Sequence, residues 1–165
     1  MIRVFCLMLV VASGGIAIPA QTIQRAERGT PLADAKLPYQ VRRQIEKVIF
    51  PDNVVTDRYD KEDAEEHTHV LRVLVGPKRR MGLRVWGGDL HLCGKSNCSI
   101  YLFDPSNGSE LFGSDGYELA FRPTVHKGFF DIQTKHQLGA GSTQLDRYQF
   151  DGKQYRLVDT QLIGS

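Results

Sequence analysis

Three histidines are the residues of this sequence that are best suited to bind a transition metal. His67 and His69 are separated by one residue, and His91 follows later in the chain. Residues two apart on a strand point to the same face, so the first pair could supply two imidazole ligands and His91 a third. The pair follows an acidic stretch typical of a solvated loop, Lys61 to Glu66. Spacing alone does not establish convergent ligands, so we assign no metal and no other cofactor.

Two cysteines flank a short polar loop, Cys93-Gly94-Lys95-Ser96-Asn97-Cys98. In an oxidising compartment such a pair favours a disulfide over a zinc site, because zinc would need a second pair of ligands. An oxidised pair leaves no thiol nucleophile. It would instead make the loop from Gly94 to Asn97 a rigid contact surface, and we include Lys95 and Ser96 among the candidate binding residues.

A run of three cations, Lys78-Arg79-Arg80, lies at the tip of a predicted hairpin and could meet an acidic partner or a phosphate. Phe129 and Phe130 are adjacent on a later predicted strand. Because neighbours on a regular strand point to opposite faces, one of them should face another layer, a partner or solvent. We therefore predict Lys78, Arg79, Arg80 and Phe129 as binding residues.

Carboxylates on the predicted strands offer acid–base chemistry only in a general sense. Asp131, Asp146 and Asp159 are expected to face solvent or to pair with nearby cations, namely Arg147, Lys135 and Arg156. The chain has neither G-x-S-x-G nor H-E-x-x-H, and it has no phosphate-binding Walker loop. These absences favour a protein that is not an enzyme, although triads can assemble from distant residues.

The first twenty residues have the pattern of a secretory signal peptide. Arg3 is followed by an apolar run, Val4 to Ala12, and a small-residue segment, Ser13 to Ala20. Cleavage could follow Ala17 or Ala20. No later segment approaches the ~18 apolar residues of a membrane helix, so we expect no stable membrane insertion after cleavage. The sequence thus predicts a periplasmic or secreted protein.

Composition is that of an ordinary globular domain. The 165 residues are 41% hydrophobic, and 21 Lys and Arg against 19 Asp and Glu give a net charge of +2. This balance excludes a polybasic arm, and with export it argues against a nucleic-acid partner.

The elements that must position these residues are one helix and many short strands. Val41, Ile45, Val48 and Ile49 form an apolar stripe that predicts a helix from Pro38 to Phe50. Residues 21–37 form a flexible lead-in. Apolar segments then recur every ~8–12 residues between turn signals, which is typical of an antiparallel meander or sandwich. We predict a mainly β, α+β domain over 38–165, with the N-terminal helix packed on the sheet.

The helix ending in Phe50-Pro51, the Cys93-Gly94 and Asn97-Cys98 pairs and the segment Tyr148 to Tyr155 together resemble uncharacterised exported bacterial proteins. The resemblance covers about residues 38–159. It implies a bacterial periplasm and carries over no catalytic residue.

These observations favour an exported, non-enzymatic binding module whose partner is an envelope or secreted protein. A specific form is an inhibitor or immunity protein whose rigid loop enters the cleft of a cell-envelope enzyme. The alternatives are a small periplasmic hydrolase or metal-dependent enzyme using His67, His69 or His91, and a structural component of an envelope assembly.

Overall fold

The computed structural model describes residues 22–23, 29–51, 58–87, 93–94 and 96–164. The predicted signal peptide, His91, Lys95 and the strand predicted at 90–92 lie outside this part of the chain. The described elements are α1 (Tyr39–Ile49), α2 (Arg58–His67), β1 (Thr22–Ile23), β2 (Thr30–Pro31), β3 (Thr68–Gly76), β4 (Arg80–Gly87), β5 (Cys98–Phe103), β6 (Glu110–Gly116), β7 (Glu118–His126), β8 (Phe129–Gln137), β9 (Thr143–Phe150) and β10 (Tyr155–Ile163).

The strands form two antiparallel five-stranded sheets, which confirms the predicted fold class. Sheet 1 has the order β2-β3-β4-β5-β6, and sheet 2 has the order β1-β7-β8-β9-β10. From β2 to β6 and from β7 to β10, each strand pairs with the next strand along the chain, because short connections bring consecutive strands together. The chain therefore builds sheet 1 first and passes to sheet 2 at Tyr117.

The two sheets pack face to face around a shared apolar core. Sheet 1 contributes Val73, Val75, Trp86, Ile100, Leu102, Leu111 and Phe112, and sheet 2 contributes Leu119, Phe121, Phe129, Phe130, Ile132, Phe150 and Tyr155. Four of these rings form mutual tilted or edge contacts, with Phe129 and Phe150 3.9 Å apart between centroids. Burial of this area is the main favourable term holding the sheets together.

Helix α1 covers the other face of sheet 1, as predicted from its stripe. Val41, Ile45 and Ile49 are buried against Leu83, Val85 and Phe103. The apolar side chains on both faces of β5 are explained by this layering, since its inner face meets sheet 2 and its outer face meets α1. Among the described residues, no helix is long and apolar enough to cross a membrane.

The segment predicted as a flexible lead-in supplies β1 and β2. From Gly29 onward it is packed into the domain, because Leu32 is fully buried in the helix-side core. A Cβ atom on Gly29 would lie 2.7 Å from the Trp86 ring, so the chain passes directly over sheet 1 there. Two-residue strands leave no periodic pattern by which the sequence could have revealed them.

The acidic stretch predicted as a solvated loop is instead part of α2, and this prediction was wrong. Ala64 is fully buried against α1, and Glu65 pairs with Arg42 of α1 at 2.9 Å. Lys61 adds contacts to Glu46 at 3.3 Å and to Glu65 at 3.5 Å. Ion pairs between the helices, rather than an apolar stripe, accompany the packing of this polar helix.

Candidate functional site

Antiparallel pairing places the predicted binding residues at opposite ends of the sandwich. The turns at 77–79, 104–109, 127–128 and 151–154 lie at one end, which we name the turn end. The disulfide loop, Tyr117 and the segment 138–142 lie at the other, which we name the loop end. Lys78, Arg79 and Arg80 are therefore separated from Gly94, Ser96 and Asn97 by the length of the strands.

The predicted disulfide is present between Cys93 and Cys98, whose Cα atoms are 3.8 Å apart. The two cysteines also form an isolated antiparallel bridge, and Gly94 N donates to Asn97 O at 2.7 Å. Gly94 and Ser96 are exposed. The loop is thus closed both covalently and by backbone pairing just before β5 begins.

Asn97 connects this loop to sheet 2. Its side-chain Nδ2 donates to Gln137 O at 3.1 Å, and Gln137 N donates back to Asn97 Oδ1 at 2.8 Å. Gln137 in turn donates from Nε2 to Ser142 O at 3.3 Å. The disulfide loop and the segment 138–142 are therefore neighbours, and the Asn97 amide is engaged inside the protein.

At the turn end, the β3–β4 hairpin has an unusual backbone. Lys78 and Arg79 both adopt positive φ, at 56° and 58°, and Arg80 N donates to Pro77 O at 3.3 Å. Two consecutive left-handed residues match the type I′ turn, which normally uses Asn and Gly. The turn therefore holds two cations in a conformation that residues with a Cβ rarely adopt.

A second hairpin turn, Lys127-Gly128 between β7 and β8, abuts the first. A Cβ on Gly76 would lie 2.5 Å from Gly128 O, so the two backbones approach closely. Arg80 extends across this contact, with its Cζ 4.4 Å from the centre of the Phe129 ring. We name Lys78, Arg79, Arg80 and Lys127 the basic turn surface. All are exposed, and none lies within 4 Å of a carboxylate in the described part of the chain.

Phe129, predicted as a contact residue, is 7% exposed and belongs to the shared core. Phe130 is buried in the same core, so neither ring of the pair is exposed to solvent. Arg80 covers Phe129 from sheet 1 by a cation–π contact. Phe129 is therefore a core residue that also contacts one residue of the basic turn surface.

The metal alternative placed His67 and His69 on one strand face, with His91 as a third ligand, and His91 lies outside the described residues. His67 ends α2, where its Nδ1 lies 2.8 Å from Asp63 O, whereas His69 lies on β3 with its ring 5.6 Å from Trp86. The two histidines therefore do not share a strand face. The described residues contain no group of three or more His, Cys, Asp or Glu side chains that could hold a metal ion.

Two strand carboxylates expected to be solvated or paired with Arg or Lys are buried beside histidines. Asp131 Oδ1 lies 2.5 Å from His126 Nδ1, and Asp146 Oδ2 lies 3.2 Å from His136 Nε2. Asp159 does pair with Arg147, at 2.7 Å, as expected. The alternating pattern of a strand predicts on which face of the sheet a carboxylate lies, but it does not predict which part of the fold covers that face.

The buried Asp146 cluster lies between the sheets and has no free acceptor. Thr160 donates to Asp146 at 2.7 Å, and Gln144 donates at 2.9 Å. Thr134 lies 2.8 Å from His136 Nε2, the same nitrogen that approaches Asp146. A catalytic relay requires the carboxylate and the nucleophile on opposite ring nitrogens. This cluster therefore fits a structural role in pinning β8, β9 and β10 together.

The outer face of sheet 2 carries a groove of about 360 Å³. It runs across β7, β8, β9 and β10 and is lined by Arg122, Pro123, Thr124, Asp131, Arg147, Tyr148, Gln149, Val158 and Asp159. A smaller cavity of about 130 Å³ shares Arg122, Arg147 and Asp159 with it. Irregular pairing in β7 after Phe121 and in β10 after Leu157 shapes the two sides of the groove.

Sequence reasoning missed Lys127, Arg122, His126 and His136. The residues around them come from other strands or from the other sheet, so no spacing along the sequence could have predicted these sites. Comparison with protein-family models, curated proteins and solved structures finds no significant match to this chain.

Proposed function

We propose that the chain is an exported, non-enzymatic binding module that docks the basic turn surface on an acidic patch of an envelope or secreted protein. The observation that carries this proposal is the meeting of two hairpin turns from separate sheets at Gly76 and Gly128. That contact gathers four exposed cations that lack carboxylate partners among the described residues. Concentrated charge of one sign speeds the encounter with a partner of opposite sign.

Backbone strain supports a role for these side chains beyond forming a turn. Left-handed φ costs a residue with a Cβ about 1–2 kcal/mol, and both Lys78 and Arg79 adopt it. A turn selected only for stability would carry Asn-Gly at these positions. Strain retained at an exposed site is commonly associated with function.

Two contacts restrict the movement of this surface, which favours tight binding. Arg80 is held over Phe129, and the close backbone approach at Gly76 fixes one turn against the other. A preorganised surface loses less conformational entropy on binding than a mobile loop does.

The specific form we propose is an inhibitor or immunity protein against a wall-degrading enzyme. Glycoside hydrolases generally act with a pair of carboxylates in a cleft. The basic turn surface complements such a cleft in charge. Of the turns at this end of the sandwich, the Lys78-Arg79 turn is the most basic.

Export is part of this proposal. A disulfide fits a non-cytoplasmic location, because thiols are kept reduced in the cytosol. The leader pattern of the first twenty residues supports the same compartment. Mass spectrometry of the protein recovered from a periplasmic fraction would test it, with cleavage after Ala17 or Ala20 as the expected result.

The binding experiment uses the oxidised protein immobilised against envelope extract and purified peptidoglycan, with captured proteins quantified by mass spectrometry. The test variant is Lys78→Glu, Arg79→Glu and Lys127→Glu combined, with Arg80 kept to preserve its contact with Phe129. The control reverses three exposed cations elsewhere, by Lys36→Glu, Arg43→Glu and Arg72→Glu combined. The two variants change net charge equally.

We expect one stoichiometric partner that the control retains and the test variant loses. Equal retention by both variants would overturn the assignment of the turn surface. Recovery of no protein, or of wall polymer alone, would overturn the inhibitor proposal and turn attention to the hydrolase and structural alternatives.

A further inference from the structure

We propose that the groove on the outer face of sheet 2 is a second binding site, which takes a sugar carrying a carboxylate, with Arg122 binding that carboxylate. This inference goes beyond the protein-binding function proposed for the turn end. It rests on the shape of the groove and on which of its charged side chains already have partners.

The groove has the size of a small-molecule site. Its volume of about 360 Å³ falls within the ~300–1,000 Å³ usual for ligand pockets. The adjoining cavity of about 130 Å³ extends it past Arg147 towards Gln133 and Gln161. All its walls come from strands of one sheet, so the lining groups are held by the backbone pairing of β7 to β10.

Both carboxylates that line the groove are already engaged. Asp131 accepts from Thr124 Oγ1 at 2.7 Å and lies 2.5 Å from His126 Nδ1. Asp159 accepts from Arg147 at 2.7 and 3.2 Å and from Gln161 at 3.1 Å. The pKa of Asp159 is lowered, chiefly by the hydrogen bond from Arg147, so the carboxylate and its arginine neutralise each other.

Arg122 differs from these groups. It lines both cavities, is exposed, and has no carboxylate within 4 Å in the described part of the chain. The lining has two arginines and two aspartates, so its formal net charge is zero, and Arg122 is the cation of the lining that has no carboxylate partner among the described residues. A guanidinium binds a carboxylate by two parallel hydrogen bonds, which adds direction to the attraction. A single cation matches a singly charged carboxylate better than a dianionic phosphate.

The rest of the lining matches hydroxyl groups. A sugar hydroxyl donates one hydrogen bond and accepts others, so it needs both kinds of partner nearby. Gln133 offers an amide, and Gln149 offers its amide oxygen, since its Nε2 donates to Asp131 Oδ2 at 3.4 Å. Thr124 Oγ1 donates to Asp131 and can still accept a hydrogen bond. Pro123 and Val158 provide the small apolar area that the C–H face of a sugar ring requires. An aromatic or fatty acid would need more extensive apolar walls.

Glucuronic acid and glucose form a matched pair of probes, because they differ only in the carboxylate at C6. We would titrate each into the oxidised, ¹⁵N-labelled protein and follow the backbone amides by NMR. We expect glucuronic acid to shift amides of β7, β8 and β9 at the groove, and glucose to bind at least tenfold more weakly. Acetate and inorganic phosphate serve as additional probes, because they carry negative charge without a sugar ring.

The test variant is Arg122→Gln, which keeps a polar side chain but removes the charge. We expect it to reduce glucuronic acid affinity to the level of glucose. Arg122→Lys keeps the charge and should bind at an intermediate level, because it cannot form the paired hydrogen bonds. The control is Arg156→Gln, on the same sheet but outside the groove, which should bind like the unaltered protein. Unchanged amide spectra away from the groove establish that each variant is folded.

The proposal would be overturned by the absence of shifts with glucuronic acid, by equal binding of glucose, or by full binding in Arg122→Gln. If acetate or phosphate shifts the same amides as strongly as glucuronic acid does, the site is a simple anion site and the sugar assignment is wrong. Capture of a protein partner should be unchanged in Arg122→Gln. The groove and the basic turn surface can therefore fail independently.

Discussion

At the scale of single residues, Lys78 and Arg79 combine two properties that are seldom found together. Each adopts positive φ, and each presents a charge without a carboxylate partner among the described residues. The backbone would be more stable with Asn and Gly, whereas the proposed partner surface needs the cations. Stability and binding should therefore respond in opposite directions to changes at this turn.

We expect Lys78→Asn with Arg79→Gly to stabilise the protein by about 1 kcal/mol, because the new residues fit left-handed backbone. The same variant should bind the captured partner at least tenfold more weakly, since two cations are lost. Chemical denaturation and calorimetric titration measure the two effects. Lys78→Gln with Arg79→Gln removes the charge without relieving the strain, so it should weaken binding and leave stability nearly unchanged. A stability gain in the Gln variant would contradict the strain argument.

Asp151 stabilises a different turn, between β9 and β10. Its Oδ1 accepts from the backbone of Lys153 at 2.7 Å and of Gln154 at 2.9 Å, and its Oδ2 accepts from Arg156 at 3.0 Å. Led by the backbone hydrogen bond from Gln154, these contacts lower its pKa to about 2. A group whose folded pKa is lowered stabilises the protein above its unfolded pKa, about 3.9, and this contribution is lost as pH falls.

Comparing Asp151→Asn with the unaltered protein isolates this effect. We expect the difference in unfolding free energy to be full at pH 6 and to shrink as the pH falls from about 4 towards 2. Urea denaturation at several pH values would measure it. A difference that stays constant down to pH 2 would show that the asparagine acts through turn geometry rather than through charge.

At the scale of elements, α1 is joined to sheet 1 mainly through its apolar stripe. Ile45 is fully buried against the outer face of that sheet. We expect Ile45→Ala to cost about 2–5 kcal/mol by opening a cavity, whereas Arg43→Ala on the exposed side should change stability by less than about 0.5 kcal/mol. Similar effects from both variants would contradict the packing of this helix.

The Asn97 bridge ties the disulfide loop to sheet 2, and its strength should depend on the disulfide. We expect Asn97→Ala to cost about 1 kcal/mol in the oxidised protein, because the Gln137 backbone loses two partners. Asn97→Asp keeps the acceptor for Gln137 N but loses the donor to Gln137 O, so its cost in stability should be smaller than that of Asn97→Ala. In a Cys93→Ser, Cys98→Ser background, Asn97 is no longer held in position, so the cost of Asn97→Ala should shrink. An unchanged cost would show that the two features act independently.

The sequence revealed the elements whose signals are local. Pro38 and Pro51 bracket an apolar stripe, and α1 occupies the positions between them to within a residue at the start. Helix α2 was missed because its described residues bury only Ala64, and its ion pairs with Arg42 depend on tertiary contact. The three cations from Lys78 to Arg80 are contiguous in the sequence and could therefore be predicted as one surface. Lys127 lies far from them along the chain and becomes their neighbour only when the two sheets pack.

At the scale of the whole molecule, the shared core should make the two sheets unfold together. Trp86 is the only tryptophan and lies in sheet 1, so its fluorescence reports on that sheet. Ile132, fully buried, lies in sheet 2. We expect Ile132→Ala to lower stability by about 2–5 kcal/mol and to shift the Trp86 transition as much as the circular-dichroism transition. A Trp86 transition that does not move would indicate that sheet 1 is stable alone.

The place of β1 has a consequence for how the chain reaches this structure. Thr22 pairs with Ala120, a separation of 120 − 22 = 98 positions, whereas the other strands of both sheets pair with near neighbours along the chain. Closing so long a loop is slow compared with forming hairpins. A chain that emerges N-terminus first would therefore complete sheet 1 before its own beginning has a partner. Among the described strands, β1 is the first to leave the ribosome, and it remains without a strand partner until β7 has formed.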